Sequence, residues 1–171
     1  MSDIRIVELT TVEEVARLIP LVRDYITFVT AQIRDAAGVT LDADAMVAST
    51  ASKLHDVIPP RGRTFEARRG EVPVGMVFVR PSGGQSREIK RLYVAPEARG
   101  TGLGRQLVSR CIDAAREDGA ASLRLDSTKS LTGAIALYAD LGFEHRGPYA
   151  ESDHADDELM LPHLVFMELR I

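Results

Sequence analysis

The sequence predicts an α+β fold, a mixed α/β sheet with helices packed on it. Three features of the chain point there. Apolar residues at helical spacing fill its first third, period-two alternation runs through its middle, and strand–helix–strand successions close it. A chain of 171 residues with no linker, repeat or low-complexity tract reads as one domain spanning 1–171.

Ile4, Ile6 and Leu9 suggest a first strand. Thr10 or Thr11 can cap the helix that follows, with Glu13 and Glu14 in its first turn. Val15, Leu18, Ile19, Val22, Ile26, Val29 and Ile33 keep the spacing of a buried helical stripe. Pro20 has no amide hydrogen and clashes with the preceding turn, so it should kink or divide that helix. A second helix is expected from about Asp42 to His55, packing through Ala45, Met46, Ala48 and Leu54. Past Ile58-Pro59-Pro60-Arg61-Gly62 the period changes to two, and Thr64 to Ala67 and Val74 to Arg80 read as strands joined around Gly70 to Pro73. Pro81-Ser82-Gly83-Gly84 is a turn. Glu88 to Val94 is a strand on which Ile89, Arg91 and Tyr93 alternate with Glu88, Lys90, Leu92 and Val94. A helix from about Gly102 to Asp118 carries the stripe Leu103, Leu107, Val108, Cys111, Ile112 and Ala115, and Gly119 stops it. Ser122 to Asp126 is a short strand and Leu131 to Leu141 a helix. Phe143 to His145 and Leu164 to Ile171 are the last strands, separated by a long polar loop.

Charge and composition narrow the function. A net charge of −4 argues against a nucleic-acid binder, which is usually basic. Between Arg87 and Arg124 eight basic residues face five acidic ones, a balance that suits a phosphate-bearing ligand. Between Glu151 and Glu158 five acidic residues stand with no Lys or Arg, a stretch that either attracts a cation or is an ordinary solvated surface. Cys111 has no partner for an internal bridge, which suits a reducing compartment. Met1 to Thr10 lacks a signal pattern, and no apolar run reaches the ~20 residues of a membrane span. A cytoplasmic protein with no membrane partner is expected. His55, His145, His154 and His163 lack metal-ligand spacing, so no metal is expected.

The strongest local signal is Arg99-Gly100-Thr101-Gly102-Leu103-Gly104-Arg105, between a strand and a long amphipathic helix. Glycines let the backbone approach a ligand and adopt positive φ. The free amides and dipole of the helix start favour an anion, and Arg99 and Arg105 can add charge-assisted bonds. A P-loop would need Gly-Lys-Ser/Thr, but Gly104 is followed by Arg105-Gln106. A dinucleotide fingerprint would need Gly-x-Gly-x-x-Gly directly after a strand. A glycine turn with no ligand is the alternative.

The stretch Glu88-Ile89-Lys90-Arg91-Leu92-Tyr93-Val94-Ala95-Pro96-Glu97-Ala98-Arg99-Gly100-Thr101-Gly102-Leu103-Gly104 resembles the acyl-CoA signature of the GNAT superfamily, the acyl-CoA-dependent N-acyltransferases. That signature is Arg/Gln-x-x-Gly-x-Gly/Ala after a strand. Ala134-Ile135-Ala136-Leu137-Tyr138-Ala139-Asp140-Leu141-Gly142-Phe143 is similar to the family's later motif, a helix carrying a Tyr just before Gly-Phe. Many members have Asn seven residues before that Tyr, where this chain has Leu131. Leu125-Asp126-Ser127 resembles the Leu-Asp-Thr strand end of a bacterial branch, and the small-molecule type of that branch is the expected relative.

The resemblance implies a central, mostly antiparallel sheet of six to seven strands, splayed in its middle, with about four helices. It implies acetyl-CoA as co-substrate and a primary amine as acceptor. The backbone of Leu92, Tyr93 and Val94 would pair with the pantetheine arm. Arg99, Gly100, Thr101, Gly102, Leu103, Gly104 and Arg105 would form the pyrophosphate loop. Glu88 matches the position of the family's general base and would act through a water; the alternative is an ion pair with Arg87, Lys90 or a neighbouring strand. Tyr138 matches the acid near the CoA sulfur; the alternative is packing on Phe143. Cys111 falls on a core stripe. Asp126 either touches substrate or caps a turn, and Tyr25, Phe28 and Tyr149 either line the acceptor pocket or pack. The acceptor is expected to be a small amine, an amino acid or polyamine-like compound. The alternatives are a protein or peptide N-acetyltransferase and an inactive acyl-CoA-binding module. A homodimer is common in such folds, and no sequence feature decides it.

Overall fold

A computed structural model describes residues 4–171, so the sequence reading of Met1 to Thr10 falls partly outside the described residues. β1 (Ile4–Leu9) leads through Thr11 into α1 (Val12–Ala16). Thr11 Oγ1 accepts from the Glu14 amide while the Glu14 carboxylate accepts from the Thr11 amide, a reciprocal capping box. The apolar stripe then divides as Pro20 requires: α2 (Ile19–Ala37) begins anew with the proline in its first turn, where a missing N–H costs nothing. Gly38 ends it in the left-handed conformation.

α3 (Ala43–Ala51) is shorter than expected and gives way to a 3-10 turn, Leu54–Val57. Its packing face also differs. Val47 and Thr50 are buried while Ala45 and Ala48 are exposed, because the helix presents its 47/50 edge to the sheet. β2 (Arg63–Arg69), β3 (Val72–Pro81) and β4 (Ser86–Val94) form an antiparallel meander. α4 (Leu103–Glu117), β5 (Ser122–Thr128), α5 (Thr132–Asp140), β6 (Glu144–Arg146) and β7 (Leu164–Arg170) complete the chain.

The seven strands form one sheet in the order β1-β2-β3-β4-β5-β7-β6. Only β4 and β5 run parallel, and they pair only from Ser86↔Ser122 to Glu88↔Arg124. Ser86 and Ser122 hydroxyls bond at 2.9 Å at the foot of this short pairing. Beyond it the two strands part, so the mostly antiparallel, seven-stranded, centrally splayed sheet expected from the resemblance is the one observed. α4 packs on one face, where Leu107, Val108 and Cys111 are fully buried and Leu107 lies against Gly75.

α2 crosses the other face above the opening. Val22 and Ile26 join the core over β2 to β4, whereas Val29 and Ile33 join a second cluster with Met160, Leu164 and Phe166 over β7. Each such side chain contributes roughly 1.5–3 kcal/mol by burial, so one helix holds both halves of a sheet that backbone pairing leaves open. No helix among the described residues is long and apolar enough to cross a membrane.

Candidate active site

The gap is prepared by a bulge in β4. Phe78 faces Lys90 and Met76 faces Tyr93, so three steps on β4 answer two on β3. Arg91 takes the extra place at φ 57, the one non-glycine positive φ among the described residues. The bulge corrects the predicted alternation. Glu88, Lys90 and Tyr93 share the α2 face, opposite Arg80, Phe78 and Met76, instead of Tyr93 joining Ile89. A one-residue insertion flips every later side chain, and nothing in strand periodicity announces it.

Past Glu88, the β4 edge facing β5 has no strand partner. The Ala95 amide donates to Val74 O at 2.9 Å, so the same trans peptide aims Val94 C=O away from β3, into the gap. Arg99 Nε donates to that carbonyl at 3.0 Å, and its guanidinium lies over Phe28 and Tyr93. At the end of this edge Gly102 caps α4 at φ 79 with no side-chain cap, which leaves the Leu103, Gly104 and Arg105 amides free of helical acceptors. Gly100 also sits at positive φ, and a Cβ at either glycine would meet nothing within 4 Å. Thr101 folds back onto Ala98 O, and Arg105 pairs with Asp140. The loop's anion-attracting elements are therefore its amides, and both arginines already have partners.

Leu92, Tyr93, Val94, Arg99, Gly100, Gly102, Leu103, Gly104 and Arg105 all line one cleft of about 650 Å³, with Leu131 to Ala134 of the β5–α5 segment on its far wall. Thr101 stands just outside. A smaller polar cavity of about 40 Å³ adjoins it through Tyr25, Leu92, Leu131 and Ala134; Tyr138, Ile89, Lys90, Arg91, Asp126 and Ser127 complete its lining. Tyr138 also meets Phe143 edge-on at 5.7 Å, so the packing contact and the cavity position coexist. Burial pushes its phenol far above the usual range, with Tyr25, Cys111 and Asp126 adding to the effect. Cys111 is wholly buried in the α4 core, and burial raises its thiol likewise.

The structure does not bring Glu88 to the cleft. Its side chain is wholly buried, and both carboxylate oxygens are engaged by Arg80 Nε (2.7 Å), Lys90 Nζ (3.3 Å) and Tyr149 OH (2.7 Å). Lys90 extends this network across the splay to Asp126 (3.2 Å) and to Asp153 (3.5 Å), while Ser152 Oγ donates to Asp126 at 2.8 Å. Burial opposes the Lys90 charge, yet Asp126, Glu88 and Asp153 outweigh it and raise its pKa. For Asp126, burial is outweighed by Lys90 and Ser152, and for Asp153 by Lys90 and Arg80, so both carboxyls titrate below their ordinary value.

The ion-pair alternative for Glu88 is the one observed, with Lys90 and with Arg80 of the neighbouring strand, and Asp153 is the participant that sequence reasoning missed. Glu88 and Lys90 alternate onto one face, the only local signal. Two of the five carboxylates of the acidic stretch are paired with cations: Asp153 meets Arg80, Lys53 and Lys90, and Glu151 meets Arg124. Among the described residues no three His, Cys, Asp or Glu side chains gather to hold a metal.

An opened sheet edge and an uncapped, glycine-lined helix start thus lie together in one cleft. The family model described as the acetyltransferase (GNAT) family matches residues 31–143, and the chain belongs to that family. It is 36% identical over 115 residues to an uncharacterized N-acetyltransferase of Schizosaccharomyces pombe, covering 66% of each chain. It is 38% identical over 98 residues to an IAA acetyltransferase of Azospirillum brasilense, covering 56% of this chain and 63% of that one. The chain thus spans a little under two thirds of the length of these curated relatives. The PaiA N-acetyltransferase of Thermoplasma acidophilum, solved in complex with coenzyme A, superposes with a TM-score of 0.71 at 15% identity, over 99% of both chains. At that identity the likeness speaks for the fold.

Proposed function

We propose that the protein is an acetyl-CoA-dependent N-acetyltransferase acting on a small primary amine. The observation that carries this reading is the joining, in one cleft, of the free β4 edge and the uncapped start of α4. The first suits an amide-bearing arm laid alongside like an added strand, the second a pyrophosphate. Bound acetyl-CoA supplies an acetyl group activated as a thioester. The chain's own residues hold, orient and discharge it. The Leu92–Val94 edge positions the arm, and a backbone N–H near Val94 on that unpaired edge donates to the carbonyl oxygen.

Tyr138 stays protonated at any physiological pH and offers its O–H to the sulfur as the C–S bond breaks. A phenol this weakly acidic gives a hydrogen bond more readily than a whole proton, and water completes the protonation. The acceptor must lose a proton to attack, since a free alkylamine has a pKa near ~10.4. Asp126 faces the small cavity but is too weak a base to remove it alone. We assign proton loss to water in that cavity, and to Glu88 the role of holding Lys90 and Tyr149 in place. A small acceptor is favoured because α2, α3 and the late loop close over this side, leaving cavities of about 40 and 50 Å³ in place of a groove.

The protein mixed with acetyl-CoA and a panel of primary amines should release free thiol. Absence of turnover on every amine, with coenzyme A still bound, would overturn the reading. Gly104→Asp tests the loop. A Cβ there stands 3.5 Å from Leu137 Cδ2, an ordinary contact, so the side chain fits. An Asp in the first turn favours the helix dipole but repels a pyrophosphate. The coenzyme A dissociation constant is expected to rise on the order of a hundredfold with no loss of melting temperature. Unchanged affinity in calorimetry would place the phosphates elsewhere.

A further inference from the structure

The cations that share the Glu88 network are paired with carboxylates. Arg80 and Lys90 are locked to Glu88, Asp126 and Asp153, and Lys53 meets Asp153. Arg91 differs. Its Nε and Nη2 both donate to the single oxygen of Thr50 (3.2 and 3.0 Å), its guanidinium carbon stands 6.0 Å from the Tyr25 ring centre, and no carboxylate pairs with it among the described residues. It is half-buried, and it is the residue held in the left-handed conformation by the bulge. Strained backbone of this kind persists where surrounding structure enforces it, commonly at ligand sites.

Arg91 also lies where three cavities meet: one shared with Tyr138, one beneath α3, and one running under α2. Asp126 lines two of the three, facing the same space without pairing to Arg91. Asp126 is already engaged by Lys90 and Ser152, so the charge left over at this cavity is that of Arg91, and a guanidinium without a carboxylate beside Tyr138 suits a ligand that carries a carboxylate next to its amine. The cavity under α2, about 50 Å³ in all, is lined besides Arg91 and Asp126 by the apolar side chains of Ile26, Val29, Met46 and Met160.

We infer that the acceptor is a free α-amino acid with an apolar side chain. Its carboxylate is held by Arg91, its amino group lies between Asp126 and Tyr138, and its side chain enters the chamber under α2. This rests on the acetyl-transfer reading and deepens it. An α-amino acid separates its amine and carboxylate by one carbon, which lets one cavity touch both Tyr138 and Arg91. A polyamine has no group for Arg91, and an internal peptide or protein N-terminus has no carboxylate at that distance.

The test compares L-leucine and L-methionine with their C-terminal amides and with 3-methylbutylamine. Thiol release from acetyl-CoA and protection from thermal unfolding in the presence of coenzyme A are both read. The free acids should exceed the amides and the amine by about thirtyfold in kcat/KM, the scale of one charge-assisted contact. Only the acids should raise the melting temperature. Arg91→Gln should bring the acid-to-amide ratio close to unity, chiefly through KM, and Arg91→Lys should restore part of it. Thiol release that ignores the carboxylate, or that favours the amides, overturns this inference and leaves acetyl transfer standing. Protection by the acids with no thiol release supports the site and sinks the transfer reading. Neither protection nor release sinks both.

Discussion

Tyr138→Phe is expected to lower kcat by about a hundredfold, the usual consequence of losing one donor aimed at developing charge, while coenzyme A binds as before. The separation follows from position. Tyr138 lines the small polar cavity, whereas the cleft that would hold the arm and phosphates is walled by its neighbour Leu137 and by the glycine loop. The ring's edge contact with Phe143 does not involve the hydroxyl, so Phe preserves it. The O–H has no protein acceptor among the described hydrogen bonds, and its removal orphans nothing. Pre-steady-state thiol release together with calorimetric titration of coenzyme A would show it. A variant with wild-type kcat would remove Tyr138 from the chemistry and leave it a core residue. A variant with weakened coenzyme A affinity would mean that the phenol binds and does not discharge.

Glu88→Ala should cost about 3 kcal/mol, because it takes from Arg80 and Lys90 their fully buried carboxylate and leaves them Asp153 and, for Lys90, Asp126. In a domain of this size that lowers the melting temperature by roughly 10 °C. Glu88→Gln keeps the shape and removes the charge, and it distinguishes two roles. A positioning residue yields a large fall in melting temperature with a modest change in kcat. A general base yields the reverse, with the high-pH limb of the rate profile altered.

The same network sets the pH range of stability. Asp126 and Asp153 are depressed in the fold, so their contribution is full above the unfolded carboxylate value near ~3.9 and is lost as pH falls through their folded values. Lys90 is raised, so its contribution is full below ~10.4 and is lost as pH rises through its folded value. Urea midpoints should therefore form a plateau between these limits, with the acid edge displaced below that of a chain lacking the network. A midpoint that declines steadily from neutrality toward pH 5 would contradict this.

What the sequence determined by itself was local or motif-borne. Thr11 and Glu14 stand three apart, so their capping box is written in the chain. Pro20 divides the first helix because a proline's defects act within one turn. Gly100 and Gly102 mark the α4 start because only backbone freedom was needed there. The mostly antiparallel sheet and its splay came through the resemblance of two motifs and not through periodicity, which is blind to which strands meet.

Tertiary structure alone decided the rest. The Arg91 bulge moved Tyr93 to the face of Glu88 and Lys90, since register depends on the partner strand. Glu88 changed from a proposed base to a buried anion because Arg80, Tyr149 and Lys90 reach it from three segments: Arg80 is eight residues away and Tyr149 sixty-one. Within the acidic loop, Asp153 and Glu151 turn inward to Arg80, Lys53 and Arg124, a pairing that no local pattern announces. Charge in a sequence is only a count. Whether a carboxylate neutralises its own protein or waits for a ligand depends on which distant residues the fold brings within a few ångströms, where Coulomb attraction and desolvation are decided. By that same rule Arg91, one basic residue among eight in its stretch, is a cation that the fold sets beside the small cavities with no carboxylate partner among the described residues.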